Sequence, residues 1–230
     1  MNIIATELRA EIYKHLSRGF QVPDEQLLVR ARELHELISL LYPEKVKELS
    51  ISFNDLHYTL DELKIEHARL FIGPFKNLAP PYGSIYLDHD EHLMTNSTLD
   101  VQKRYEKEGM TVAILEVPDH LTIELEFLYL LAYKEMKGIE LLESANHKNG
   151  VSKDQDSHEP IPGSTADLPT DLVKEYRIKQ LNFLKSHLMR WFPLFEKKVK
   201  EHAKIEVYAD LATLARNFLE SEMSELIHDS

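Results

Sequence analysis

Apolar residues recur along this chain at helical rather than strand spacing. Ile4, Leu8, Ile12, Leu16 and Phe20 form one such series and predict an amphipathic opening helix that ends between Gly19 and Pro23. A second helix is expected from Asp24 to Tyr42, where Leu27, Leu28, Ala31, Leu34, Ile38 and Leu41 share one side and Pro43 stops propagation. Leu60 to Ile72 reads as a third, closed by Gly73-Pro74, since glycine accepts a left-handed conformation after a helix and proline cannot continue one. Thr98 to Lys107 predicts another, ended by Gly109. Val117-Pro118-Asp119 then opens the most apolar helix, whose stripe of Leu121, Leu125, Leu128 and Ala132 continues to about Glu143. Helices resume over Asp171–Arg190, Phe192–His202 and Tyr208–Ile227.

Two segments break this rhythm. Phe75 to Leu87 is expected to be non-helical: Pro80-Pro81 fixes two φ angles and pushes the preceding residues toward extended geometry. In an extended segment Tyr82, Ser84 and Tyr86 alternate and face the same way. Between Ala145 and Thr170 apolar periodicity gives way to Asn, Lys, Ser, Asp, Gly and Pro, the composition of a flexible loop or linker.

Composition supports the helical reading. Only 7 of 230 residues are glycine, too few for a turn-rich β architecture, and the length suffices for a sizeable core. The expected fold is all-α, a globular multi-helix bundle over residues 1–230, built either as one domain or as two subdomains joined by a hinge. The absence of cysteine excludes disulfides, thiolate metal sites and cysteine nucleophiles. A net charge of -12 argues against a nucleic-acid phosphate footprint and favours a basic partner or plain solubility. The amino terminus carries no signal-peptide pattern and no apolar run is long enough to span a bilayer, so a cytoplasmic protein without stable membrane insertion is expected.

Four segments carry candidate chemistry. Glu66 to Pro74 ends in the apolar pair Leu70-Phe71, whose side chains can line a groove or fill the core. Ala79-Pro80-Pro81-Tyr82-Gly83-Ser84-Ile85-Tyr86 is either a strap whose tyrosines pack between helices or a rigid wall displaying aromatic area and hydroxyls to a peptide. Glu116-Val117-Pro118-Asp119-His120-Leu121 lies at a helix start, where Asp119 can serve as an N-cap. Together with Glu116 and Glu124 it also forms an acidic cluster suited to guanidinium groups. Phe183 to Phe195 places His187 and the sole tryptophan, Trp191, on one apolar helical face with Leu184, Leu188 and Phe195, the pattern of core packing around a hydrogen-bonded histidine.

In this order the four segments resemble the TorD/DmsD (NarJ-type) family of redox-enzyme maturation chaperones. These are helical proteins that bind twin-arginine signal peptides of molybdoenzyme precursors. The resemblance spans Leu60 to Phe195 in patches. It implies a non-enzymatic chaperone without a cofactor, whose partners are the twin-arginine leader and the apo catalytic subunit of a molybdopterin oxidoreductase awaiting cofactor insertion and Tat export. As signal-peptide-binding residues it implies Leu70, Phe71, Pro81, Tyr82, Ser84, Tyr86, Glu116, Asp119, His120, Glu124, His187 and Trp191. Family members occur as monomers or domain-swapped dimers, which a 145–170 linker would permit. Gly83 stands where relatives often carry a bulky or acidic residue, and the 145–170 segment lies outside the recognised pattern.

A rival reading comes from the 12 histidines. His67, His89-Asp90 and a later aspartate such as Asp119 or Asp210 imitate the order of ligands in helical metal-dependent (HD-type) phosphohydrolases. The His89-Asp90 pair sits in a polar stretch without an apolar helical setting, which suits solvated surface better. No glycine-rich phosphate loop, nucleophile elbow or His-Glu-x-x-His pair is present, so nothing offers a cradle for GTP.

Overall fold

The computed structural model describes residues 2–45, 58–73, 77–88, 95–114, 116–151 and 167–228. These form α1 (Ile3–Gly19), α2 (Leu27–Leu41), α3 (Leu60–His67), α4 (Gly83–Leu87), α5 (Asn96–Lys107), α6 (Leu121–Val151), α7 (Asp167–Phe183), α8 (Met189–His202) and α9 (Glu206–His228). Among the described residues there is no strand, and the fold is all-α as the periodicity requires. No helix among them is long and apolar enough to cross a membrane.

Local chemistry accounts for the element ends. Asn2 caps α1 by accepting the Ile4 N–H, and Thr59 with Glu62 forms a reciprocal capping box at the start of α3. The α3 helix widens into a π-turn over Ala68–Ile72, which closes when Gly73 at φ 59° donates its N–H to Ala68 O. Gly109, at φ 74°, turns the chain after α5. At both positions a side chain would be strained, as the sequence stop signals imply.

The helix boundaries on both sides of α7 differ from those read in the sequence. A second π-turn, Leu184–Leu188, joins α7 to α8, and α8 runs through Pro193 without a break. Pro193 has no N–H to give to the preceding turn, but burial of Trp191, Phe192 and Phe195 on the same helix outweighs that loss. The α6 helix continues to Val151 and α7 begins at Asp167, so both margins of the expected 145–170 linker are helical. Its middle, 152–166, lies outside the described residues, as do His89, Asp90 and Pro74.

The core forms where α1 packs on α2 and α6, α6 on α7, and α8 on α9. Its largest buried side chains include Trp191, Tyr13, Tyr105, Tyr208, Phe183, Phe192, Phe195 and Phe218. Toward the start of α1 a buried polar network crosses this core. Arg9 donates to Glu222 at 2.6 Å, to Glu135 at 3.0 Å and to Gln180 at 2.7 Å, while Arg177 also reaches Glu135 at 2.8 Å. Tyr13 and Tyr42 donate to Glu222. Four helices, α1, α6, α7 and α9, are thus cross-linked by charge-assisted hydrogen bonds.

Candidate functional site

Past the other end of α1 lies a groove of about 700 Å³. Phe20, Gln21 and Val22 form one wall, His67, Phe71 and Ile72 come from α3 and its π-turn, and Asn77, Pro81 and Tyr82 from the strap. Glu116, Val117, His120, Thr122 and Ile123, at the entrance to α6, complete it. Val22 is 61% and Ile72 56% exposed, so the groove presents apolar surface to solvent at its margin.

The strap and the helix entrance are paired by backbone. Gly83 N–H donates to Asp119 O at 3.0 Å and Leu121 N–H to Pro81 O at 2.9 Å, giving a single antiparallel bridge between Tyr82 and His120. Their rings meet edge to face at 5.0 Å. Two proline-containing segments far apart in sequence therefore form one continuous wall. Ala79 N–H donates to Leu70 O and Tyr86 Oη–H to Pro80 O, fixing the strap to the core, and Tyr105 Oη–H holds the entrance through Pro118 O.

Beyond Tyr82 the expected extended run is replaced by the short helix α4. Asp119 does not cap its own helix; its Oδ2 accepts the Ser84 N–H at 2.7 Å and so caps α4 from a distance. Once the backbone coils, Tyr82, Ser84 and Tyr86 no longer share a side. Tyr82 lines the groove, Ser84 is buried, and Tyr86 stacks on Trp191 with centroids 5.7 Å apart.

The twelve residues implied by the resemblance divide accordingly. Phe71, Pro81, Tyr82, Glu116 and His120 line the groove. Leu70, Ser84, Tyr86, Asp119, Glu124, His187 and Trp191 are buried and lie outside its lining. The acidic cluster is accordingly split: Glu116 is exposed at the rim, but Asp119 and Glu124 are fully buried and present no carboxylate to solvent. Glu124 instead accepts hydrogen bonds from His187 Nε2 at 2.7 Å and Trp191 Nε1 at 3.2 Å. Phe20, Val22, Ile72, Val117 and Ile123 also line the groove; their apolar spacing signals only helix or core, so sequence periodicity could not single them out.

Burial sets the charge of the groove. It lowers His120 to about 4, and lowers His67 as well, so both rings are neutral at pH 7. His120 Nδ1 meets Thr122 Oγ1 at 2.7 Å and the Thr122 N–H at 3.3 Å, which fixes the ring at the helix entrance. His67 Nε2 donates to Phe20 O at 3.1 Å and the ring packs edge-on to Phe71, which makes it a fastener of the groove wall. No group of metal-ligating side chains occurs among the described residues.

The groove thus offers an apolar, aromatic surface, two neutral histidines and one rim carboxylate, a combination suited to an apolar peptide with a basic end. The chain matches the model of the nitrate reductase delta subunit family over residues 29–160. It is 27% identical to the chaperone protein TorD of Aliivibrio salmonicida across 96% of this chain and 95% of that protein. It is 28% identical to TorD of Vibrio cholerae across 99% and 97%, and 22% identical to a perchlorate reductase assembly chaperone protein of Dechloromonas aromatica across 96% and 91%. Its fold is similar to that of a redox enzyme maturation protein from Archaeoglobus fulgidus, with a TM-score of 0.50 and 23% identity over 92% of this chain and 93% of that one. With more than half of its length under the family model, the chain belongs to the nitrate reductase delta subunit family.

Proposed function

We propose that this protein is a non-enzymatic maturation chaperone. It binds the twin-arginine leader, and through it the apo catalytic subunit, of a molybdopterin oxidoreductase in the cytoplasm before cofactor insertion and export. The observation that carries the reading is the backbone pairing of Tyr82 with His120, which unites the two family-like segments in the wall of one apolar groove. Phe20, Phe71, Pro81, Tyr82 and Ile123 take the apolar stretch of the leader, while Glu116 at the rim faces its arginines. The chaperones among the relatives fit this assignment, the TorD proteins by name and the Dechloromonas protein by its role in perchlorate reductase assembly.

Calorimetry against a twin-arginine leader peptide and its Lys-Lys counterpart tests the proposal. Binding of the first, weakened several-fold by Tyr82→Ala, is expected. Lysine cannot form the bidentate guanidinium–carboxylate contact, so the counterpart binds less tightly. Rising salt should weaken the charged contact and leave apolar docking intact. Binding by neither peptide would refute the reading.

A further inference from the structure

Beneath the strap, Gly83 passes directly over the Glu124 cluster. A Cβ added at Gly83 would lie 3.0 Å from Trp191 Nε1, 3.2 Å from Glu124 Oε1 and 3.3 Å from His187 Nε2, so the backbone rests on all three polar groups and a side chain there would push them back by a few tenths of an ångström. On its other side, Gly83 and Ser84 donate their N–H groups to Asp119. The first turn of α4 is therefore clamped between Asp119 and the cluster, and the groove wall at Pro81-Tyr82 is continuous with that turn. We infer that Glu124, His187 and Trp191 are positioning residues that hold this wall, and that the proton on His187 controls how firmly they hold it.

The geometry gives His187 a particular burden. Glu124 from α6 and Asp119 from the helix entrance are buried carboxyl groups, and His187 is the buried partner in contact with Glu124, a cation when protonated. Asp88 at the end of α4 and Arg104 of α5 also face it, with opposite effects, and Tyr105 of α5 faces Glu124. Burial alone would lower His187, but the charge and hydrogen bond of Glu124 outweigh it and raise the imidazole above its ordinary value. Burial likewise raises Glu124, with His187 and Trp191 offsetting part of the effect. When His187 loses its proton the buried carboxyl groups lose their cation, and the turn resting on them loosens. Asp119 Oδ1 and Ser84 Oγ, both buried without a hydrogen-bond partner, mark the clamp as incompletely compensated even with His187 in place.

The regulatory part of this inference rests on the peptide-binding reading above, and the test separates the two. Trp191 is the only tryptophan in the chain and donates to Glu124, so its emission reports the cluster without any ligand. As pH rises above the ordinary imidazole value of about 6.5, where burial keeps His67 and His120 neutral, the emission of Trp191 should titrate together with the His187 ring protons. Amide-exchange protection at Gly83–Leu87, corrected for intrinsic base catalysis, should fall over the same range. An N-acetylated twin-arginine leader should lose affinity in parallel, about tenfold for each pH unit by which the bound state favours protonated His187 over the free state. His187→Gln should flatten all three profiles, and Gly83→Ala should shift Trp191 emission and weaken the leader at constant pH. Flat Trp191 emission and flat protection in the wild-type protein would overturn the inference. A titrating cluster in a protein that binds no leader would instead overturn the peptide-binding reading and confine the inference to the clamp.

Discussion

The two buried polar clusters of this molecule use similar side chains to opposite ends. Around Arg9, two guanidinium groups face Glu135 and Glu222, and Gln180, Tyr13 and Tyr42 complete the carboxylates' hydrogen bonding. Glu222 and Glu135 raise Arg9 further despite its burial, so its charge is permanent at any physiological pH. Around Glu124, the imidazole of His187 is the contacting partner, a cation when protonated, with buried Asp119 acting on it only through its charge, and two polar atoms lack partners. The first is a fastener whose cation does not titrate; the second is a clamp whose cation is removed by the loss of one proton. The difference lies in the titration range of the cation, and it places the adjustable cluster beneath the groove.

Substitutions that break one cluster and spare the other test this contrast. The largest effect should come from Arg9→Ala, which leaves Glu222 buried without its cation. A loss of about 3–5 kcal/mol in denaturant unfolding is expected. The variant should keep the alkaline limb that His187 supplies, and a loss under about 1 kcal/mol would show that the network is not the fastener described.

The pH dependence of stability should be two-sided. As pH falls below about 6.5, the unfolded chain takes up protons that buried His67 and His120 refuse, and stability drops. As pH rises above about 6.5, folded His187 still holds a proton that the unfolded chain has released. Its contribution, fully present below that point, is lost as pH climbs through its raised value. His187→Gln should abolish the contribution of His187 to the alkaline limb, worth about 1.4 kcal/mol per pH unit of the raise, and should raise Glu124 further. An unchanged alkaline limb in this variant would remove the distinction between the clusters.

Smaller effects sharpen the comparison. Ser84→Ala removes a buried hydroxyl without a partner, so unfolding experiments should find stability unchanged or raised by up to about 1 kcal/mol. Destabilisation beyond that would mean that the hydroxyl is compensated. Glu116→Gln, at the exposed rim, should leave stability within about 0.5 kcal/mol of the parent while reducing the salt dependence of leader binding in calorimetry. An unaltered salt response would place the arginine contact elsewhere.

Much of the fold was legible because burial repeats at the period of a helix. The stripes Ile12–Leu16, Leu34–Ile38 and Leu121–Leu128 are buried where their spacing places them, and Gly73 and Gly109 stop their segments through positive φ. The helix through Pro193 escaped, since proline reads locally as a break while the burial that overrides it is tertiary. So did α4, because the Pro80-Pro81 signal for extended geometry ends at Tyr82, where Asp119 caps a new helix from 35 residues away. The candidate site was legible only in part. Phe71, Pro81, Tyr82, Glu116 and His120 line the groove, whereas the carboxylates of Asp119 and Glu124, although near in sequence to Glu116, face inward.

By itself the sequence determined the helical class, the main stop signals and the absence of cysteine chemistry, all of which depend on residue type and short-range spacing. Its four ordered segments also carried the resemblance to a chaperone family. Only the tertiary structure decided that Tyr82 pairs with His120, that Glu116 stays at the rim while Glu124 is buried, and that Gly83 rests on the imidazole and indole of residues a hundred positions away. Side-chain identity is local, but solvation, and with it charge and availability, depends on which other segments fold against each residue.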